Sequence, residues 1–274
     1  MIHDRASRHG STAGPAIHCL TMKVLALGNS DSRGDRITGR TWSDIARHDL
    51  GARLASPLVF ENIPYSVIGP TAVAYAERKL AEAEPDVVVL PLGSYLFTAG
   101  FTWVRVQRLF GQRAGRWYRR IEERFDRETR ERGSVGDGVN RFARVVLRRV
   151  VGTQPMATRE QVVAAYGDLF RTLSRREEMS VVIVTYPGRG EHARSKRAIR
   201  ERALFFPEVE ALARRHHFGW VDGERAFAAA PPGEVIHRVD GLHFNDYGHE
   251  LLGKAVVAAI LDSRAVTDER MSTS

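Results

Sequence analysis

Cysteine is almost absent from this sequence: Cys19 is the only one in 274 residues. A single thiol excludes an intramolecular disulfide and any multi-cysteine metal site, so the chain has no need of an oxidising compartment. Long apolar runs are absent as well. Nothing approaches the ~18 consecutive apolar residues of a membrane-spanning helix. Residues 1–21 are rich in His, Ser, Gly and Arg and lack the apolar run of about 7 or more residues that a signal peptide needs. The first apolar run starts at Met22, so residues 1–21 are expected to be a flexible tail and Met22 a second possible start. The C-terminal residues 265–274 are read as a tail too. The expected localisation is cytoplasmic, with no membrane span.

Lysine is scarce: only Lys23, Lys79, Lys196 and Lys254, which leaves 37 arginines among the 41 basic residues. That skew, with abundant Ala and Val, fits a GC-rich coding sequence better than a selected nucleic-acid surface. The net charge of +8 is nevertheless localised. Between Gly100 and Gln161 there are 15 arginines against 7 acidic residues, and the remainder balances at 26 against 26. Nucleic acid is therefore not the expected partner; an anionic small molecule is the more natural reading of a local basic excess.

What is present is an alternation of strand and helix signals. Met22–Leu27 reads as a buried strand ending at Gly28, and Leu58–Phe60 as a weaker second one. Asp86–Leu92, Ser180–Tyr186 and Phe218–Val221 are further apolar runs of strand type. Helical spacing marks Thr38–Leu50, the Ala-rich stretch from Thr71 to Glu84, Thr158–Glu178 with Thr158 as N-cap, Pro207–His216 and Asp246–Leu261. Continuous apolar strands separated by helices predict a parallel sheet covered on both faces, an α/β fold of flavodoxin-like three-layer type over residues 22–264. The alternation breaks between about 97 and 155. There, two amphipathic stretches, Trp103–Arg132 and Val139–Val151, predict an Arg-rich helical insertion after the third strand. Trp117, Ile121 and Phe125 form its expected apolar stripe, and the insertion is either packing or a lid.

Chemistry in such sheets sits beyond the carboxyl ends of the strands. Gly28-Asn29-Ser30-Asp31-Ser32-Arg33-Gly34 follows the first strand and places Ser30 where a following helix offers backbone N–H groups. Asp240-Gly241-Leu242-His243 precedes the last helix, and a carboxylate three residues from an imidazole can orient it. Taken singly, the first segment is a turn signal and His243 a surface histidine. Several other patterns lack a required residue. His249-Glu250-Leu251-Leu252-Gly253 has no second histidine for zinc, Gly188-Arg189-Gly190 lacks the third glycine of a dinucleotide loop, and no Gly-x-Ser-x-Gly elbow exists.

Together the two segments resemble the SGNH (GDSL-type) serine hydrolases. These carry a Gly-Asp-Ser-x-Ser-x-Gly block on the first turn and an Asp-x-x-His block before the last helix; here the latter continues as His243-x-Asn245-x-x-Gly248. The resemblance spans 22–261 outside the insertion. It implies Ser30 as nucleophile, His243 as base and Asp240 as its orienting partner, with no cofactor and no metal. It also implies an oxyanion hole from Ser30 and Gly69. Two positions depart from the pattern: Asn29 replaces the usual Asp, and Tyr95 stands in Gly93-Ser94-Tyr95-Leu96 where the family has Asn. Either the Tyr95 or the Ser94 hydroxyl then replaces the lost oxyanion donor, the Ser30 and Gly69 amides suffice, or the protein is a poor enzyme. The implied function is hydrolysis of a small or medium-sized ester through an acyl-enzyme. The alternatives are an acyltransferase or deacetylase on the same triad, or a catalytically weak binding protein using the basic insertion.

Overall fold

The computed structural model describes residues 21–29, 31–33, 39–54, 56–132, 149–187, 195–231, 234–236 and 243–273, with side chains for all of these except 33, 122–132 and 264–273. Five strands form one sheet: β1 (Met22–Gly28), β2 (Leu58–Pro64), β3 (Val87–Pro91), β4 (Ser180–Val184) and β5 (Gly219–Val221). Every pairing is parallel and the spatial order is β2-β1-β3-β4-β5. This is the flavodoxin-like order.

Alternate residues of each strand feed opposite faces, as the pleat requires. Leu25, Leu27, Val88, Leu90, Val181 and Ile183 pack into one core. It is closed by α2 (Ala72–Ala83), α5 (Arg159–Leu173) and α6 (Lys196–Arg215) through side chains such as Leu80, Phe170 and Phe205. Val24, Ala26, Val87, Val89, Val182 and Val184 face the other core, covered by α1 (Trp42–Arg53), the short α7 (Gly223–Ala226) and α8 (Asp246–Thr273). With both faces buried, the strands have no polar side to show, which is why they read as continuous apolar runs. The three-layer α/β/α architecture is as expected.

Helix starts follow local chemistry. Thr41 caps α1 by accepting from the Asp44 amide while Asp44 reaches back, and Thr158 and Gln161 form the same box on α5. Several boundaries differ from expectation. The helix read as beginning at Pro207 begins at Lys196, capped by Ser195, and runs through the proline. Its buried residues Ala198, Arg202, Phe205, Val209 and Ala213 keep one face across Pro207. Pro207 and Ala203, the residue whose carbonyl loses its partner, are both exposed, so that carbonyl is not forced into the core without a partner. The second strand extends to Pro64 because it is an edge, where Glu61 and Asn62 are tolerated. The last helix continues to Thr273.

The insertion leaves the layers just after α3 (Tyr95–Thr98), at the carboxyl end of β3. Phe101 and Gln154 pair across its root, Phe101 N–H donating to the Gln154 carbonyl at 2.8 Å and Gln154 N–H returning at 3.2 Å. Its first stretch is α4 (Thr102–Arg132), which folds back on itself at Gly111, with φ 85° and ψ 170°. Gly115 lies so close to Gln107 that a Cβ there would meet Gln107 Cβ at 2.4 Å. The Arg119 guanidinium lies over the Trp103 ring at 5.4 Å. Both pairs are centred on Gly111, so the element is a helical hairpin. The expected stripe is corrected at its first member: Trp117 is 65% exposed, and Tyr118 beside it is buried with Val104 and Val106. The fold-back turns Tyr118 inward instead. Most of the second stretch, 139–148, lies outside the described residues, as do 1–20 and 188–194.

Candidate active site

The order β2-β1-β3 makes the β1/β3 gap the topological switch point, and the crevice beyond the carboxyl ends there is where such folds hold ligands. The chain delivers Asn29 after β1 and Gly93 after β3 to that point. Gly28 must be glycine: a Cβ would sit 1.9 Å from Ser32 Oγ and 2.3 Å from Asn62 Oδ1. The turn thereby folds tightly back over the strand end. Ser32 Oγ donates to the Asn29 carbonyl at 2.7 Å, and Asp31 N–H donates to Asn29 Oδ1 at 3.1 Å. From outside the turn, the Ser32 carbonyl accepts from Asn62 Nδ2 at 2.6 Å and from Ser43 Oγ at 3.1 Å. Ser30 lies outside the described residues, but its neighbours on both sides are anchored.

Asn29 carries a second contact that no motif signals. Tyr186, two residues past β4, donates its hydroxyl to Asn29 Oδ1 at 3.1 Å. Burial, with the Asp31 charge adding to it, raises the Tyr186 pKa well above its ordinary value, so the phenol stays a neutral donor. Its own carbonyl accepts from the buried Arg202, which also meets Glu224 at 3.3 Å. The topology could have flagged Tyr186 by its place at a strand's carboxyl end; its sequence surroundings could not.

The last loop reaches the same turn. Asp240, with 237–242, lies outside the described residues, whereas His243 is half-buried at the start of the described segment. Phe244 N–H donates to Asp31 Oδ1 at 3.4 Å, and the Phe244 ring meets Tyr186 edge-on at 5.3 Å. The residue after Ser30 and the residue after His243 are thus in contact. Asn245 Oδ1 accepts from Gly248 N–H at 2.9 Å and caps α8, so Asn245 works structurally here.

His249 is a core residue rather than a ligand. It is 1% exposed, and its Nδ1 accepts from the Trp42 amide at 3.1 Å, which places the ring proton on Nε2. Desolvation, with Asp246 opposing it and His243 reinforcing it, lowers its pKa to about 4. Among the described residues, no three His, Cys, Asp or Glu side chains come together as a metal site.

A narrow cleft beside Asn29 is lined by Leu27, Tyr65, Gly93, Tyr95 and Tyr166. Gly93 N–H donates to the Tyr166 hydroxyl at 2.9 Å. Tyr95 stands close over Gly93, whose Cβ would meet Tyr95 Cε1 at 3.0 Å. The Tyr65 hydroxyl is buried in the cleft wall without a hydrogen-bond partner, and burial pushes its pKa up. Gly69 has φ 148° and is exposed; the β2–α2 loop lines the cleft with Tyr65, Ser66 and Val67, short of Gly69.

No family model matches the chain, and no curated protein does. Solved structures do match. An α/β hydrolase enzyme from the metagenome of Lake Arreo, Spain, superposes with TM-score 0.52 at 15% identity, over 87% of this chain and 94% of that one. A catalytic mutant of an acetylxylan esterase from Geobacillus stearothermophilus gives TM-score 0.53 at 13% identity, with the same coverage. At such identities the likeness is one of fold. Among the described residues, no helix is long and apolar enough to cross a membrane.

Proposed function

We propose that the chain is a serine esterase of the SGNH kind, cleaving a small or medium-sized ester through an acyl-enzyme. Ser30 Oγ attacks the ester carbonyl while His243 takes its proton and Asp240 holds the imidazole in orientation. The oxyanion of the tetrahedral intermediate is held by the Ser30 and Gly69 amides, with the Tyr95 hydroxyl in place of the missing Asn. Collapse expels the alcohol, which leaves with the proton from His243. Water, deprotonated by His243, then attacks the acyl-Ser30 ester and releases the acid.

The observation that carries this reading is the contact between the two chain ends of the site. Phe244 N–H on Asp31 joins the residue after His243 to the residue after Ser30, which supports the reading. The fold likeness to an α/β hydrolase and to an acetylxylan esterase agrees with it. Transfer of the acyl group to an alcohol in place of water uses the same first half-reaction.

The test is turnover of a short-chain aryl ester. Ser30→Ala and His243→Ala should abolish it with the fold intact, and Asp240→Asn should leave a small residual rate, because the wrong imidazole tautomer is then favoured. Undiminished turnover by Ser30→Ala would overturn the assignment.

A further inference from the structure

The tip of the insertion hairpin gathers several exposed apolar side chains within nine residues. Around Gly111, Leu109 is 51% exposed and Phe110 is 70% exposed, and Trp117 on the returning helix is 65% exposed. Arg108, Arg113 and Arg116 flank them, all exposed. No acidic residue occurs between Asp86 and Glu122, whereas six arginines fall between Arg105 and Arg120. The charges on the hairpin's own residues up to Ile121 are therefore all positive.

We propose that this hairpin tip is an anchor that seats the protein on an anionic lipid surface. Leu109 and Phe110 sit at the apex, where a shallow insertion of about 5–10 Å would bury them below the headgroups. The three arginines then lie at the level of the lipid phosphates. Trp117 is six residues from Gly111, about 9 Å along a helix, which is the depth of the polar interface that tryptophan prefers. Nucleic acid would satisfy the arginines, but it offers nothing to Leu109, which has no aromatic face to stack. The root of the hairpin at Phe101 adjoins the carboxyl end of β3, so an anchored protein holds its candidate active site near the surface. The anchor itself does not depend on the esterase reading.

The experiment is vesicle flotation of the full chain with phosphatidylcholine alone and with an equal mixture of phosphatidylcholine and phosphatidylglycerol. The protein should bind the anionic vesicles and leave the neutral ones largely unbound. Leu109→Ser with Phe110→Ser should weaken binding by about 10-fold or more, since the apolar burial is lost. Arg108→Gln, Arg113→Gln and Arg116→Gln together should weaken it by about 100-fold and remove most of its salt dependence. Both variants should keep the wild-type circular dichroism, and Ser30→Ala should float like wild type. Failure of wild type to float with anionic vesicles would overturn the anchor. So would undiminished floating of the apex variant, or tighter binding to a single-stranded oligonucleotide that is indifferent to the apex residues. Turnover of a water-soluble ester is read in parallel. Vesicle binding without any turnover would remove the esterase reading and leave the anchor; turnover without vesicle binding would do the reverse.

Discussion

Tyr186 contacts Asn29 and Tyr95 lines the cleft beside it, and their hydroxyls should fail differently. Tyr186→Phe removes the donor to Asn29 Oδ1 but leaves the ring against Phe244, and Asp31 N–H still satisfies the amide oxygen. The Ser30 turn then loosens, and kcat should drop by about 10-fold with little change in KM. Under the proposed mechanism Tyr95→Phe removes a donor to the oxyanion, so kcat should fall by about 10²-fold at constant KM. Steady-state kinetics on one ester separates the two, and wild-type kcat in Tyr95→Phe would reduce that residue to packing. His249 yields a stability test. Its pKa is lowered to about 4 by burial, against 6.5 for the unfolded residue, so the unfolded chain takes up the proton first. The contribution is therefore complete above pH 6.5 and is lost as pH falls toward 4, amounting to about 3 kcal/mol. His249→Asn keeps an acceptor for Trp42 N–H without titrating. Its unfolding free energy should vary less between pH 7 and about 4.5 than that of wild type, and parallel pH curves would contradict the account.

The elements were legible where a residue's chemistry acts locally. Thr158 announced its helix because an N-cap is satisfied within four residues, and β1, β3 and β4 were plain because burial on both faces leaves no polar interruption. What stayed hidden depended on distant partners. Pro207 looked like a helix start; only the solvent on its far side, a tertiary fact, lets the helix pass through it. Gly111 looked like one glycine in a long amphipathic run, because nothing nearby says that Gly115 will meet Gln107. That turn can be tested. At φ 85° and ψ 170° a β-branched side chain is strained, so Gly111→Val should cost about 1–3 kcal/mol of hairpin stability. Limited proteolysis should then cut within Thr102–Ile121 faster than in wild type while the sheet remains protected. Equal cleavage rates would mean that the chain does not reverse at Gly111.

In the whole molecule, opposite ends of the sequence meet at one crevice because the sheet order brings β1 beside β3 and the last helix beside β1's own. The proposed pair Ser30 and Asp240/His243 is suggested by sequence because each lies in a short contiguous block. Tyr186, Asn62 and Tyr166 could not, since each is a lone polar residue whose role appears only when strand ends are gathered together. The basic excess was legible as charge, but its shape as a hairpin tip was not. The central claim is that this crevice activates Ser30. The most direct measurement is labelling with a fluorophosphonate probe, with the modified peptide identified by mass spectrometry. The account predicts one adduct per chain, on Ser30, absent from Ser30→Ala and strongly slowed in His243→Ala. A wild-type protein that takes up no probe, or that carries it on another residue, would contradict it.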